Sequence, residues 1–157
     1  MLREGMRFVD FELPAHDGTT VSSSQLAGRP YLIYFYPKAE TPGCVREACA
    51  LRDAWPELEA AGVAVYGVSY DAPRVNRAFA AKRGLPFLLL SDRDHELARA
   101  VGATHLLLPF PKRISYLVGA QGTVLAAYPR VRPGEHARQV LADFQHLRQD
   151  GGDDRGQ

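Results

Sequence analysis

The chain is predicted to fold as an α/β protein, with a mixed central β-sheet flanked by helices. Three observations lead there. Residues 31–36 and 63–68 are almost continuously apolar, as strands buried on both faces are. Between and after them lie segments that open on proline and close on glycine, which is the punctuation of helices. Residues 114–118 and 123–128 flank the turn Gly119-Ala120-Gln121-Gly122 and read as a hairpin ahead of one last helix. Strands that alternate with helices and end in a hairpin give a sheet of mixed direction with helices on both faces.

Each element has its own signal. Residues 8–13 alternate as a strand, and His16-Asp17-Gly18-Thr19 supplies a turn. Residues 22–26 form one helical turn, stopped by Gly28. Pro37 ends the strand 31–36. Thr41 is a candidate N-cap, with Pro42 at the first helical position, where a missing N–H costs nothing. That helix runs to about residue 61, is broken or kinked near Pro56 and is closed by Gly62. Strand 63–68 follows, then helix 73–83 ended by Gly84, strand 87–90, helix 92–101 closed by Gly102, the hairpin, and helix 135–148. Residues 150–157 are rich in Gly and Asp and read as a disordered tail, which leaves 1–149 as a single domain. There is no internal repeat and no linker.

At 157 residues the chain is long enough for one substantial core. Its net charge is only +1, with acids and bases interleaved, so nothing points to nucleic acid or a membrane surface as partner. The N-terminus carries no apolar signal segment, and no apolar run is long enough to span a bilayer. The expected location is the cytoplasm. In a reducing compartment a close cysteine pair is more often catalytic or metal-binding than a structural bridge.

The two cysteines, Cys44 and Cys49, are five residues apart. Cys44 lies where strand becomes helix, so it meets unpaired backbone N–H groups and the positive end of the helix dipole, and both favour the reactive thiolate. Cys49 is near enough in sequence to trap what Cys44 becomes. Read alone, Cys44 is equally a small buried hydrophobe, and Cys49 a core residue on a helix face with Ala48, Ala50 and Leu51. Glu47, one turn beyond Cys44, disfavours a thiolate unless Arg46, Arg52 or another cation holds it away. His16, His95, His105, His136 and His146 show no ligand spacing, so a metal site is not expected. Trp55 reads as packing.

The pattern Pro37-x-x-x-Thr41-x-x-Cys44 resembles the signature of the peroxiredoxins. Cys49, the preceding Tyr34-Phe35-Tyr36-Pro37-Lys38 and the following Arg52-Asp53 are similar to the peroxiredoxin Q (bacterioferritin comigratory protein) subfamily. The likeness continues through Gly67-Val68-Ser69, Gly84-Leu85-Pro86-Phe87, Leu90-Ser91-Asp92 and Arg113-Ile114-Ser115-Tyr116-Leu117-Val118. It implies a thioredoxin-like fold and a thiol peroxidase that reduces hydrogen peroxide and organic hydroperoxides. By the same resemblance Cys44 is the peroxidatic cysteine and Cys49 the resolving one, closing an intramolecular disulfide that thioredoxin or a similar dithiol protein reduces. Thr41 orients peroxide and Arg113 holds the thiolate. Pro37 and Gly43 shape the pocket, and Glu47 has a supporting role. No metal, haem or flavin is called for, and the chain is expected as a monomer with a dimer left open. Two features depart from the family. Val45 stands where Thr is frequent, and residues 103–111 are unusually apolar through Leu106-Leu107-Leu108-Pro109-Phe110. Two rivals remain: a thiol–disulfide oxidoreductase, disfavoured because those enzymes carry Cys-x-x-Cys, and a non-catalytic peroxide sensor or binding module that uses residues 106–110.

Overall fold

The structure, a computed structural model, describes residues 1–149. The expected tail at 150–157 lies outside the described residues. β1 (Glu12–Pro14) and β2 (Thr20–Ser22) make a small antiparallel hairpin closed by the Asp17-Gly18 turn, where the Asp17 carboxylate accepts both the amide and the hydroxyl of Thr19. A 3-10 turn, Ser23–Leu26, leads to β3 (Tyr31–Phe35), whose five residues are all buried. α1 (Pro42–Asp53), α2 (Trp55–Ala60) and β4 (Ala64–Ser69) follow, then α3 (Pro73–Arg83), β5 (Leu88–Ser91) and α4 (Glu96–Val101). β6 (Ser115–Val118), β7 (Val124–Tyr128) and α5 (His136–Gln149) complete the order.

Five strands form one sheet in the order β5-β4-β3-β6-β7. β3 pairs parallel with β4, placing Tyr31 opposite Ala64, and antiparallel with β6, placing Tyr34 opposite Ser115. The sheet is therefore mixed, as the hairpin at the end of the sequence requires. Alternation along β3 separates two cores. Leu32, Tyr34 and the following Tyr36 face α1, α3 and α5, and pack with Cys44, Ala48, Leu51, Phe79, Val140 and Phe144. Tyr31, Ile33 and Phe35 face the other way, onto Leu97, Ala98 and Val101 of α4. Helices thus cover both faces.

Two elements differ from the sequence expectation, and a third divides where it was expected to. Only the end of the segment 8–13 is strand, because Phe8 instead donates its amide to Gly122 in the β6–β7 turn and Arg7 bridges to Thr123. The helix expected from 92 starts at Glu96. Asp92 turns inward and its carboxylate accepts the amides of Leu97 and Ala98 at 3.2 and 2.8 Å, while His95 takes a left-handed φ of 64°. The long helix is broken near Pro56, as expected: it is two helices that meet at Ala54, since Pro56 can offer no amide to continue the first.

Candidate active site

Cys44 is delivered by a pinned loop. After β3 the chain leaves the sheet at Pro37, which is half-buried. The Ala39 amide donates to Asp71 Oδ2 at 2.9 Å, and Ser69 Oγ donates to the same oxygen. Glu40 adopts a φ of 66°, rare for a residue with a Cβ, and its carboxylate bonds Arg83 Nη2 at 2.9 Å with Lys82 Nζ at 3.7 Å. The ends of β4 and α3 therefore fix the approach to α1.

Thr41 occupies the N-cap position with extended backbone, and Val45 donates the first helical bond to its carbonyl. Its side chain does not cap. The hydroxyl donates to the Lys38 carbonyl at 2.7 Å, which corrects the expected cap. The loop folds Lys38 back within reach, and the hydroxyl takes that partner in place of a helix amide.

Cys44 is buried, with 1 % of its surface exposed, and both cysteines are free thiols. Arg113, just before β6, reaches across to α1. Its Nη2 donates to Cys44 Sγ at 3.3 Å and its Nη1 to Glu47 Oε1 at 2.8 Å. The other cation that the sequence requires beside Glu47 is thus Arg113, while Arg52 pairs with Asp53 and the Arg83 carbonyl. Glu47 is wholly buried and its Oε2 has no hydrogen-bond partner among the described residues. Burial pushes the Glu47 carboxyl up to about 7, against the opposing pull of Arg113. Burial alone would lower Arg113, but Cys44 and Glu47 outweigh it and the guanidinium stays charged. Tyr34 and Tyr36 lie against the same groups, and burial holds both phenols well above their usual range.

Gly43 owes its identity to this arrangement. A Cβ there would stand 2.9 Å from Arg113 Nη2 and 3.6 Å from Arg113 Cζ. Cys49 is half-buried on the same continuous helix, one and a half turns beyond Cys44. The structure thus brings Thr41, Gly43, Cys44, Glu47 and Arg113 together, while Cys49 stands apart. The loop anchors Ser69, Asp71 and Arg83 carry no sequence signal, since each acts only through tertiary placement. So does His136, buried beside the sheet with Nε2 at 2.8 Å from Ser115 Oγ. The apolar stretch ahead of Arg113 projects outward, with Leu106 at 97 % and Leu107 at 90 % exposure. Among the described residues no helix is long and apolar enough to cross a membrane.

A helix N-terminus that presents a buried free cysteine to a half-buried arginine, at the end of the central strand of a mixed sheet, defines a thioredoxin-like thiol enzyme. Residues 5–127 match the model of the AhpC/TSA family. A bcp protein of Coxiella burnetii is 36% identical over 143 residues, covering 87% of this chain and 95% of that one. The chloroplastic peroxiredoxin Q of Populus jackii is 37% identical over 148 residues, covering 93% of this chain and 70% of that one. The bacterioferritin comigratory protein of Xanthomonas campestris, solved in a study of its alkyl peroxide reduction activity, superposes with a TM-score of 0.82 at 32% identity. That match covers 87% of this chain and 90% of the other. The chain belongs to the AhpC/TSA family and, within it, to the peroxiredoxins of the Q or bcp type.

Proposed function

We propose that this thiol-dependent peroxidase uses Cys44 as its peroxidatic nucleophile and Cys49 as its resolving cysteine. The Cys44 thiolate attacks one peroxide oxygen, an S–O bond forms as the O–O bond breaks, and water or an alcohol leaves. Cys49 then displaces hydroxide from the sulfenic acid as water, giving the Cys44–Cys49 disulfide. A dithiol protein reduces it by thiol–disulfide exchange, and thioredoxin is the reductant proposed. The observation that carries this reading is the 3.3 Å contact of Arg113 Nη2 with Cys44 Sγ, made where both Cys44 and Glu47 are buried.

Stabilising a thiolate is not enough for such an enzyme. For any thiol, lowering the pKa from about 8.5 to about 6 raises the ionised fraction at neutral pH roughly thirtyfold. Intrinsic nucleophilicity falls with pKa with a slope of about 0.4–0.5, which costs roughly tenfold over the same range. A net gain of a few-fold does not make a peroxidase. The remaining acceleration comes from donors aimed at the charge that develops on the leaving oxygen. Arg113, the Thr41 hydroxyl and the amides of Gly43 and Cys44 are the donors available, and Thr41 must release the Lys38 carbonyl to serve. Pro37, half-buried where the chain leaves β3, is the residue proposed to shape the loop before Thr41. Alkyl peroxide reduction by the Xanthomonas campestris relative supports organic hydroperoxides as substrates beside hydrogen peroxide. A free, closely spaced cysteine pair suits a reducing compartment such as the cytoplasm. The test is steady-state peroxide consumption with a thioredoxin system on the parent and on Cys44→Ser. The variant should fold and be inactive, and substantial residual turnover would overturn the assignment.

A further inference from the structure

We infer that Cys44 and Glu47 share a single proton across Arg113, so that Glu47 is protonated while Cys44 is a thiolate and surrenders that proton when Cys44 is oxidised. This rests on Cys44 being the nucleophile and adds a role for a carboxylate that touches no reacting atom.

The geometry sets one cation between two acids. Arg113 gives Nη1 to Glu47 at 2.8 Å and Nη2 to Cys44 at 3.3 Å. Glu47 is 0 % and Cys44 1 % exposed. If both acids ionise, two buried anions share one half-buried cation and the site carries a net negative charge. If only one does, the site is neutral. Burial penalises net charge steeply, so the two acids titrate as a coupled pair. The unpartnered Oε2 of Glu47 favours leaving the proton there, since a neutral group without a partner costs less to bury than an anion without a donor. As a carboxylate, that oxygen would be a buried anion without a donor. As a carboxyl, Oε2 carries the proton and Oε1 still accepts from Arg113. Burial, which raises Glu47 to about 7, acts in the same direction.

The other groups facing the pair do not compete for the proton. Tyr34 of β3 and Tyr36 just after it are held neutral by burial, and Tyr36 donates its hydroxyl to Asn76 of α3. On the α5 side, His136 commits Nε2 to Ser115 and burial keeps its ring neutral. Asp71, which acts on Tyr36, is engaged by Ala39 and Ser69.

The reaction then balances. Thiolate, carboxyl and hydroperoxide become sulfenic acid, carboxylate and alcohol: Sγ gains OH, the O–O bond breaks, the leaving oxygen takes up one proton, and the proton that Glu47 gives up to solvent balances it. Arg113 faces one anion before the step and one after it, so the buried charge never changes.

Cys49→Ser halts the reaction at sulfenic acid and provides the background for the test. In weakly buffered solution with a pH indicator, near neutral pH, this variant should take up almost no protons per sulfenic acid formed. Adding Glu47→Gln should raise uptake towards one. The Gln protein should also oxidise with nearly the parental pH profile, because the amide stands in for a carboxyl that is already neutral beside the thiolate; a profile moved clearly to lower pH would show that Glu47 had been an anion and would count against the inference. Difference infrared spectroscopy of the parent needs no substitution at Glu47. A protonated carboxyl band should disappear when peroxide is added. A carboxylate already present in the reduced protein, or equal proton uptake with and without Glu47, would overturn the inference. Absence of Cys44 oxidation in every protein would instead overturn the choice of nucleophile.

Discussion

Gly43→Ala should give a protein that is at least as stable as the parent and yet a poorer peroxidase. Gly43 is helical, in the first turn of α1, with no positive φ to protect. Removing glycine from a helix is worth up to about 1 kcal/mol of stability. The added methyl, however, would lie 2.9 Å from Arg113 Nη2, where ordinary contact needs about 3.4 Å or more. The guanidinium must retreat by about half an ångström, and the 3.3 Å bond to Cys44 Sγ lengthens to at most about 3.8 Å and weakens, near the limit for a sulfur acceptor. A hydrogen bond to a charged group contributes about 1.5–3 kcal/mol. Losing most of it in the transition state slows peroxide attack by on the order of tenfold or more. The assay is stopped-flow oxidation of Cys44 beside a denaturant melt, repeated in an Arg113→Ala background. The cost of the methyl should vanish once Arg113 is absent. A variant that reacts within twofold of the parent would show that Arg113 has slack to move, and that its position does not govern the rate.

Cys49→Ser should reduce one equivalent of peroxide, stop at sulfenic acid and become prone to overoxidation, as followed by mass spectrometry. Undiminished turnover with a thioredoxin system would make Cys49 structural. Stability should vary little with pH between about 4.5 and 6.5, because two buried groups oppose each other. Burial lowers His136 from 6.5 to about 4, so its contribution is complete above 6.5 and lost on acidification. Burial raises Glu47 from 4.5 to about 7, so its contribution is complete below 4.5 and lost as pH rises. Each is worth about 3 kcal/mol at the limit. Urea melts of Glu47→Gln should therefore lose roughly that amount between pH 6.5 and 4, and a flat profile in that variant would refute the opposition.

Where local chemistry decides, the sequence was sufficient. Pro73 and Gly84 bound α3 at the expected residues, because proline at a helix start and a left-handed glycine after its end act within one turn. The apolar run 31–36 became the central strand because only a fully buried strand tolerates apolar residues on both faces. Where a distant partner decides, it was not. Thr41 has the residue type and position of an N-cap, but its hydroxyl goes to Lys38 in a loop shaped by Glu40 and Arg83. Asp92 starts no helix, because its carboxylate reaches forward to Leu97 and Ala98. Arg113 is one of many arginines, and its partner Glu47 lies 66 positions away. Only the likeness to a family singled it out. No local pattern distinguishes that arginine from one in solvent.

The reduced site is built to come apart after it reacts. Cys44 and Cys49 lie on one unbroken helix, Pro42–Asp53. Five residues on a regular helix separate Cα atoms by roughly 8–9 Å and turn the side chains about 140° apart. A disulfide tolerates about 7 Å at most, so α1 must open before the bridge can close. Its first turn is poorly held by local means. Thr41 does not cap it, no acidic side chain occupies it, and Gly43 weakens it. Arg113 holds it instead, through Cys44 and Glu47. On the proposed mechanism, oxidation of Cys44 replaces an anion by a neutral sulfenic acid, so the grip of Arg113 on the first turn loosens while its hold on α1 passes to Glu47 one turn on. Hydrogen exchange on the reduced and disulfide forms measures the consequence. Amides from Gly43 to about Arg52 should exchange faster after oxidation, while the buried strand β3 keeps its protection. Unchanged protection across α1, with the disulfide confirmed by mass, would mean that the bridge formed on an intact helix, and the geometric reasoning would be wrong.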